Sequence, residues 1–209
     1  MFIGDLAELK KGYFASSTSP LDGMWHFGFV PMSEHFGFYE DNILVGFLCL
    51  NGEGYILQFY LSAEAKVDAR DLFTLVSQGN SQVIGTLKGA YVSTAETAYL
   101  SLCLDNARSF KVNALMYQEA ENANLTPDDK LETSLVLSLA DQAQLSDFVR
   151  FAASNIGAPE DWLTGYYTNL IKREELWGYW VNNQLLASGE CRFFDEYQTQ
   201  YADLGMIVA

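Results

Sequence analysis

Two carboxylates near the end of the chain, Glu190 and Asp203, have the residue type and setting that a general base requires. Glu190 lies in the apolar run 185–191 and Asp203 in the run 201–209, and both runs are typical of β-strands. Burial disfavours the charged form of a carboxyl group and so raises its pKa towards neutrality, where proton abstraction is effective. The alternative for either residue is a structural role within a strand or at a sheet edge.

The other reactive residue types are sparse. Cys191 could accept an acyl group, but no histidine lies in this half of the chain to activate it. A free thiol without such a partner usually packs in a core. The two histidines, His26 and His35, lie in an aromatic stretch with Trp25, where a hydrogen-bonded structural role is commoner than catalysis. Because nothing near them stands at ligand spacing, we expect no metal site.

The charge balance limits the possible partners. The 209 residues include 12 basic and 27 acidic side chains, which gives a formal net charge of −15. Such a surface repels phosphate backbones, so we expect no nucleic-acid partner. It could attract a cationic amine, although solubility is its simplest role. Three widely spaced cysteines suit a reducing compartment better than a disulfide framework.

No segment has the pattern of a targeting or membrane sequence. The N-terminus lacks the basic start and apolar run of a signal peptide. The most apolar stretch, residues 43–61, is interrupted by the turn sequence 51–54, which predicts a hairpin of two strands instead of a membrane span. We therefore expect a cytoplasmic protein that does not enter a membrane.

One pattern occurs twice in the chain. Residues 36–46 and 177–187 both read aromatic, Gly, aromatic, aromatic, then a polar turn with Asn and an apolar strand. Asp41-Asn42 and Asn182-Asn183 tolerate the positive φ angles that tight hairpin turns need. A separation of about 140 residues is too long for a solenoid repeat and fits a duplicated domain. Chance similarity of two hairpins is the alternative.

Helices and further strands surround the two hairpins. In the second half, a capping box at 141–144 opens an apolar helix that Gly157 ends, and Pro159 begins another. From about residue 135 the predicted order is strand, helix, helix and three strands. In the first half, the further predictions are a helix capped by Asp68, a strand at 88–92, a second capping box at 93–96 and a closing strand at 110–117.

A domain boundary is predicted in the polar run 119–130, whose Pro-Asp-Asp sequence is typical of a linker. The first domain spans residues 1–122, the linker 123–130 and the second domain 131–209. Each domain is expected to hold a mixed, mostly antiparallel sheet flanked by helices. The fold class is therefore α+β.

This order of elements resembles the GNAT superfamily of acyl-CoA-dependent N-acyltransferases. The family order is strand, helix, helix and three antiparallel strands, followed by strand–helix–strand–helix–strand. Residues 185–191 resemble the third strand of the family and 201–209 resemble the fourth. In the family the fourth strand splays from its neighbour and pairs with the pantetheine arm. The resemblance thus implies acetyl-CoA as cosubstrate, bound by the backbone of Met206, Ile207 and Val208.

The most specific family motif, a basic, glycine-rich turn that holds the pyrophosphate, should follow that strand. In the first copy residues 63–69 stand there, with two acidic residues and no glycine. An acid beside a pyrophosphate is unfavourable. The first copy is therefore interpreted as degenerate. The second copy reaches Ala209 before such a turn, so we expect the natural protein to continue beyond it.

The resemblance also implies the reaction. An amine of a small molecule or peptide attacks the thioester directly, and Asp203 or Glu190 takes its proton. Tyr201, or Tyr197, would protonate the leaving thiolate. The alternative function is a non-catalytic binding or scaffolding protein built on GNAT-like halves. In that case the open strand 201–209 could pair with another chain, which predicts a homodimer.

Overall fold

A computed structural model of the chain describes residues 6–79, 81, 83–117, 137–194 and 198–209, with the side chains of 193, 194 and 198–201 outside that description. The chain divides into two compact units. The first comprises Met1–Asn113 with Asp195–Gln198, and the second comprises Ala114–Phe194 with Thr199–Ala209. Each unit has its own mixture of helices and strands, which confirms the predicted α+β class. No helix in the described part of the chain is long and apolar enough to cross a bilayer.

The first unit begins with helices and continues with an antiparallel sheet. A π-helical turn at Met24–Phe29 and a short 3₁₀ turn at Val30–Met32 connect its first helix to its first strand. The other elements are α1 (Ala7–Ala15), β1 (Glu34–Glu40), β2 (Ile43–Leu50), β3 (Tyr55–Leu61), α2 (Ala69–Ser77), β4 (Gly89–Ala90) and α3 (Thr97–Asn106).

The sheet of the first unit has the order β1-β2-β3-β4. The first three strands are antiparallel, whereas β4 runs parallel to β3 and pairs with it only at Tyr55 and Ile56. The β1–β2 hairpin turns at Asp41 and Asn42, which both have positive φ as predicted, and its register shifts between Phe38 and Tyr39. Apolar side chains on the two faces of this sheet form the core with the helices.

Gly46 in the middle of β2 is required by packing. A Cβ at this position would lie 2.5 Å from the carbonyl oxygen of Tyr60 and 3.2 Å from the Cα of Leu61. Because both atoms belong to the backbone of β3, the strand would have to move. We expect Gly46→Ala to lower the free energy of unfolding by about 2 kcal/mol or more, measured by urea denaturation.

Gly52 provides the matched control for that substitution, since a Cβ there meets no atom within 4 Å. Gly52→Ala should change the free energy of unfolding by less than about 0.5 kcal/mol. Equal effects of the two substitutions would contradict the packing argument for Gly46.

The second unit follows the order predicted for it. A 3₁₀ turn at Gln142–Gln144 leads into its first helix. The elements are β5 (Leu137–Leu139), α4 (Leu145–Ile156), α5 (Glu160–Lys172), β6 (Leu176–Val181), β7 (Gln184–Phe194) and β8 (Gln198–Val208). The strand order is β5-β6-β7-β8, and β5, β6 and β7 pair antiparallel.

The β6–β7 hairpin repeats the features of the β1–β2 hairpin. Asn182 and Asn183 have positive φ in its turn, as predicted. Its register shifts between Tyr179 and Trp180, at the place that corresponds to the shift in the first unit. The two hairpins therefore share their turn, their bulge and the sequence pattern that surrounds them.

The local helix signals are confirmed in the second unit. The Asp141 carboxylate accepts from the backbone amide of Gln144, and the side-chain oxygen of Gln144 accepts from the backbone amide of Asp141. The capping box therefore forms. Gly157 ends α4 with φ of 70°, and α5 begins directly after Pro159.

Two predictions for the first unit need correction or refinement. Residues 110–117 form no strand, because a strand requires a neighbour to pair with and none of the described strands lies beside them. At 93–96 Glu96 bonds the Ser93 amide, but Ser93 Oγ accepts from Ala95, and the helix begins only at Thr97. Asp68 caps α2 as expected. The linker at 119–130 lies outside the described residues, and the domain limits remain a prediction.

Candidate functional site

Alternate residues of β7 place three polar side chains in the interior of the second unit. Ser188, Glu190 and Arg192 are all buried, with exposed fractions of 5%, 3% and 3%. Side chains two residues apart point to the same face of a strand. Helix α5 buries two tyrosines, Tyr166 and Tyr167, and both have electrostatic contact with Glu190. A buried polar cluster therefore joins β7 to α5.

Glu190 lies at the centre of this cluster. Its Oε2 accepts a hydrogen bond of 2.7 Å from the Tyr166 hydroxyl and lies 3.6 Å from Nη2 of Arg192. Its Oε1 is buried and has no hydrogen-bond partner among the described residues. Since a buried polar atom is normally paired, this oxygen is placed to receive a proton or a donor from a bound molecule.

The environment raises the pKa of Glu190 to about 7. Burial is the main cause, and the charges of Asp203 and Glu175 add to it, while Tyr166 and Arg192 act in the opposite direction. Burial also raises the pKa of Tyr166, and the Glu190 charge adds to the effect, so its hydroxyl stays protonated and donates. The carboxyl group thus titrates near neutrality, as a general base must.

The structure brings Glu190 and Asp203, the two carboxylates predicted from sequence, close to one glycine. A Cβ on Gly205 of β8 would lie 3.3 Å from Glu190 Oε2 and 3.8 Å from Asp203 Oδ2. Asp203 is half-buried. The absence of a side chain at Gly205 therefore lets the two acids approach the backbone of β8 closely.

Arg192 connects Glu190 to another acid, Glu175. Its Nε lies 3.2 Å from Oε2 of Glu175, which also receives a hydrogen bond of 2.8 Å from Arg173 Nε. Arg192 therefore shares its charge between Glu175 and Glu190. A buried arginine between two carboxylates fixes the position of both side chains.

The predicted cofactor residues lie at the end of β8. Met206 has a positive φ of 37°, which interrupts the regular strand next to Gly205. The Ile207 side chain is exposed and that of Val208 is buried. The strand order places β8 at the edge of its sheet. Tyr201 belongs to β8, but its side chain lies outside the described part, as does all of Tyr197.

An aromatic pair lies beside the acids. Trp162 and Tyr166, one turn apart on α5, stack with ring centroids 4.9 Å apart and planes at 12°. Trp162 is half-buried, whereas the Tyr166 hydroxyl reaches Glu190. The Trp162 ring therefore packs on the tyrosine that donates to Glu190.

The reactive residues of the first unit have structural partners. His26 is buried, its Nδ1 lies 2.8 Å from Gln58 Nε2, and burial followed by the Lys10 charge lowers its pKa to about 3. His35 Nδ1 lies 2.9 Å from the Ser33 carbonyl oxygen. These contacts are those of structural histidines, as expected.

Cys49 and Cys103 show no activation. Burial raises the pKa of the Cys49 and Cys103 thiols to about 12, so neither is a thiolate at neutral pH. In the part of the chain that is described, no three His, Cys, Asp or Glu side chains are grouped as a metal ion requires.

The turn before α2 in the first unit is bonded to an internal carboxylate. The amides of Lys66 and Val67 donate to Glu40 at 2.9–3.1 Å, and these bonds hold the pKa of Glu40 below its usual range. Lys66 Nζ bonds Asp41 at 2.7 Å. The backbone donors that a phosphate would use at this turn are therefore engaged by an acid of the chain itself.

The partners of Glu190 do not follow from the sequence pattern. Tyr166 lies in the helix that begins after Pro159, and no motif links Tyr166, Arg192 or Glu175 to Glu190. The two-residue period of a strand could have placed Arg192 beside Glu190. Tyr166 and Glu175 come from other elements, and only the tertiary fold brings them to the site.

The chain was compared with known proteins. A family model described as "Acetyltransferase (GNAT) domain" matches residues 3–120. A solved structure described as an acetyltransferase from the GNAT family from Colwellia psychrerythraea is 58% identical in sequence, with a TM-score of 0.82. The alignment covers 99% of this chain and 74% of that protein. No curated protein matches.

Proposed function

Because the chain belongs to the GNAT acetyltransferase family, we propose that its second unit transfers an acetyl group from acetyl-CoA to an amine. The observation that carries the proposal is the buried Glu190 carboxyl, whose pKa of about 7 and unpartnered Oε1 fit a general base. We assign Glu190 as the base and Asp203 as the neighbour whose charge raises the pKa of Glu190.

In the proposed step the amine nitrogen attacks the thioester carbonyl carbon. The C–N bond forms, the C–S bond breaks and CoA leaves as the thiolate. Glu190 takes the amine proton, either directly or through one water. Arg192 and Tyr166 hold the carboxylate in position, so that it does not have to be ordered during the reaction.

Acetyl-CoA supplies the acyl thioester, and the end of β8 is suited to hold its arm. An edge strand has free backbone donors and acceptors that can pair with an extended ligand. The positive φ of Met206 turns the backbone away from regular pairing. We propose that the backbone of Met206, Ile207 and Val208 binds the pantetheine arm and that Tyr201 protonates the leaving thiolate.

The acceptor is proposed to be a small-molecule or peptide amine. Glu175, Glu190 and Asp203 give the site a negative potential. The net charge of −15 also favours approach of a cation. Three free cysteines suit a reducing compartment, and we place the reaction in the cytoplasm.

The proposal is tested by thiol release. The chain is incubated with acetyl-CoA and a panel of primary amines, and free CoA is measured with a thiol reagent over pH 5–9. We expect amine-dependent release whose rate rises as pH passes through about 7. Thiol release that does not depend on an amine would contradict this function. The absence of thiol release with every amine of the panel would contradict it as well.

Tyr166→Phe should move the acid limb of the pH–rate profile to higher pH. The hydroxyl lowers the pKa of Glu190, because it donates to the charged form. A hydrogen bond to a charged group is worth about 1.5–3 kcal/mol, which corresponds to a shift of roughly one to two pH units. The measurement is kcat/KM against pH.

Tyr91→Phe in the first unit is the control for Tyr166→Phe. Its ring packs against Trp25 and Tyr55, far along the chain from Glu190, so the profile should keep its midpoint. A shift to lower pH in Tyr166→Phe would be inconsistent with a hydrogen bond that favours the carboxylate.

For the first unit we propose a non-catalytic role, as the degenerate copy of a tandem pair. Its β3 and β4 pair at only two positions, like the diverging strands of the family, but the turn that follows β3 is bonded to Glu40. Adding a pyrophosphate would displace that carboxylate and bring two like charges together. We therefore assign acetyl transfer to the second unit alone.

A further inference from the structure

The first unit has a groove along the outer edge of β1. Among the described strands, β1 lies at the edge of its sheet, with β2 on its other side. A pocket of about 570 Å³ lies against consecutive residues of β1, including Phe36 and Phe38. Leu72 and Leu75 of α2 and the neighbouring Val83 form its opposite wall. In the part of the chain that is described, the groove is thus a strand edge that no other strand pairs with, facing an apolar wall, which is a template for an added strand.

The second unit has a strand at the corresponding place. There Trp177, Gly178 and Tyr179 of β6 pair with Leu139, Ser138 and Leu137 of β5. In the repeated hairpin pattern these three residues correspond to Phe36, Gly37 and Phe38, and both hairpins carry their bulge directly after this triplet. The pocket of the first unit therefore lies where the second unit holds β5.

A segment suited to fill this place pairs with none of the described strands. Residues 110–117 have the apolar composition of a strand, yet Phe110, Val112 and Tyr117 are 83%, 75% and 89% exposed. Such exposure of several large apolar side chains in one segment indicates an interaction site. Residues 110–113 belong to the first unit and residues 114–117 to the second.

The charges of the segment and of the groove are complementary. Residues 108–117 contain Arg108 and Lys111 and no acid, in a chain whose net charge is −15. Strand β1 begins with Glu34 and ends with Glu40 and has no Lys or Arg. Opposite charges guide the approach of two surfaces and disfavour the wrong pairing.

We propose that residues 110–117 of one copy pair with the β1 edge of a second copy. The exchange is reciprocal, so each copy gives one segment and receives one, which closes the assembly as a symmetric dimer. Backbone hydrogen bonds supply the affinity, and Phe110 and Val112 fill the apolar wall made by α2. The interface does not use β8, so it leaves the proposed acetyl-CoA edge free.

Light scattering after size exclusion tests the proposal on the full chain. We expect a dimer for the wild type. The double variant Phe110→Asp/Val112→Asp and the single variant Leu75→Glu should both be monomers. All three positions are exposed in the single chain, so the fold should persist, which circular dichroism checks. Leu104→Glu, at an exposed position on α3, is the matched control and should remain a dimer.

A peptide separates the two sides of the interface. A fluorescent peptide with the sequence of residues 107–117 should bind the Phe110→Asp/Val112→Asp variant, whose groove is intact, and raise its anisotropy. It should bind the Leu75→Glu variant at least tenfold more weakly. A monomeric wild type overturns the proposal. This holds also for a monomer in which residues 110–117 pair with β1 of the same copy and protect the amides of residues 36–38 from hydrogen exchange. A dimer that persists in Leu75→Glu also overturns it.

Discussion

Glu190→Gln is expected to lower kcat/KM for acetyl transfer by about 10²–10⁴-fold, the usual contribution of a positioned general base. The amide keeps the shape of the side chain and can still accept from Tyr166, but it cannot take a proton. Because the wild-type carboxyl titrates at about pH 7, its activity should fall below that pH. The residual activity of the variant should have no such limb. The measurement is thiol release from acetyl-CoA against pH.

Asp203→Asn distinguishes the two carboxylates. The charge of Asp203 raises the pKa of Glu190, so its removal should move the acid limb to lower pH. This direction is opposite to that expected for Tyr166→Phe. If Asp203 were the base, Asp203→Asn would cause the large loss and Glu190→Gln a small one, and the assignment would be reversed.

Glu190→Gln should raise the stability of the folded chain at alkaline pH, although it lowers activity. The folded-state pKa of Glu190 is raised above its unfolded value, so the folded chain holds this proton more tightly. The resulting stability is fully present below about pH 4.3 and is lost as pH rises through about 7. At pH 8 we expect Glu190→Gln to unfold at a higher temperature than the wild type. A stability gain together with an activity loss is typical of an active site and not of a structural ion pair.

The parts of the fold that local sequence determines were predictable. The paired turns at Asp41-Asn42 and Asn182-Asn183 were predicted because only a few residue types tolerate positive φ. The capping box at Asp141 and the helix end at Gly157 depend on residues within one turn of the helix. In each case the interacting atoms are near in the chain, so the pattern contains the whole cause.

The parts that depend on distant partners were not predictable. Residues 110–117 have the composition of a strand, but composition does not supply the neighbour that a strand requires. The carboxylate of Glu190 was identified as a candidate from its type and strand, whereas its pKa depends on Tyr166, Arg192 and Glu175. Two of these come from other elements, and their distances follow only from how α5 packs on β7.

The arrangement also explains why one hairpin pattern can serve two roles. In the second unit the strand that follows the hairpin carries Asp203 and Gly205 beside a buried Glu190. In the first unit the third strand carries Gln58, which is buried and bonds His26, and the following turn bonds Glu40. The shared turn and bulge build the sheet, while the residues after them determine which acids are buried and what they bond.

Phe148→Ala should cause the largest loss of stability in the second unit, about 3–5 kcal/mol in the free energy of unfolding. The Phe148 ring on α4 is fully buried. It meets the rings of Tyr167 and Trp180 edge-on, with centroid distances of 6.2 Å and 5.7 Å. It also packs against Gly178, where an added Cβ would lie 2.7 Å from the Phe148 Cζ. Its removal leaves a cavity between both helices and β6.

Ile156→Ala, at the exposed end of the same helix, is the control and should cost less than about 1 kcal/mol. Urea unfolding followed by hydrogen exchange assigns the loss to a unit. Each unit has its own core, so Phe148→Ala should lower the protection of amides in α4, α5 and β6 and leave those of β2 and β3 unchanged. An equal loss of protection in both units would mean that they unfold as one cooperative body, and Glu190 would then depend on the first unit for its position.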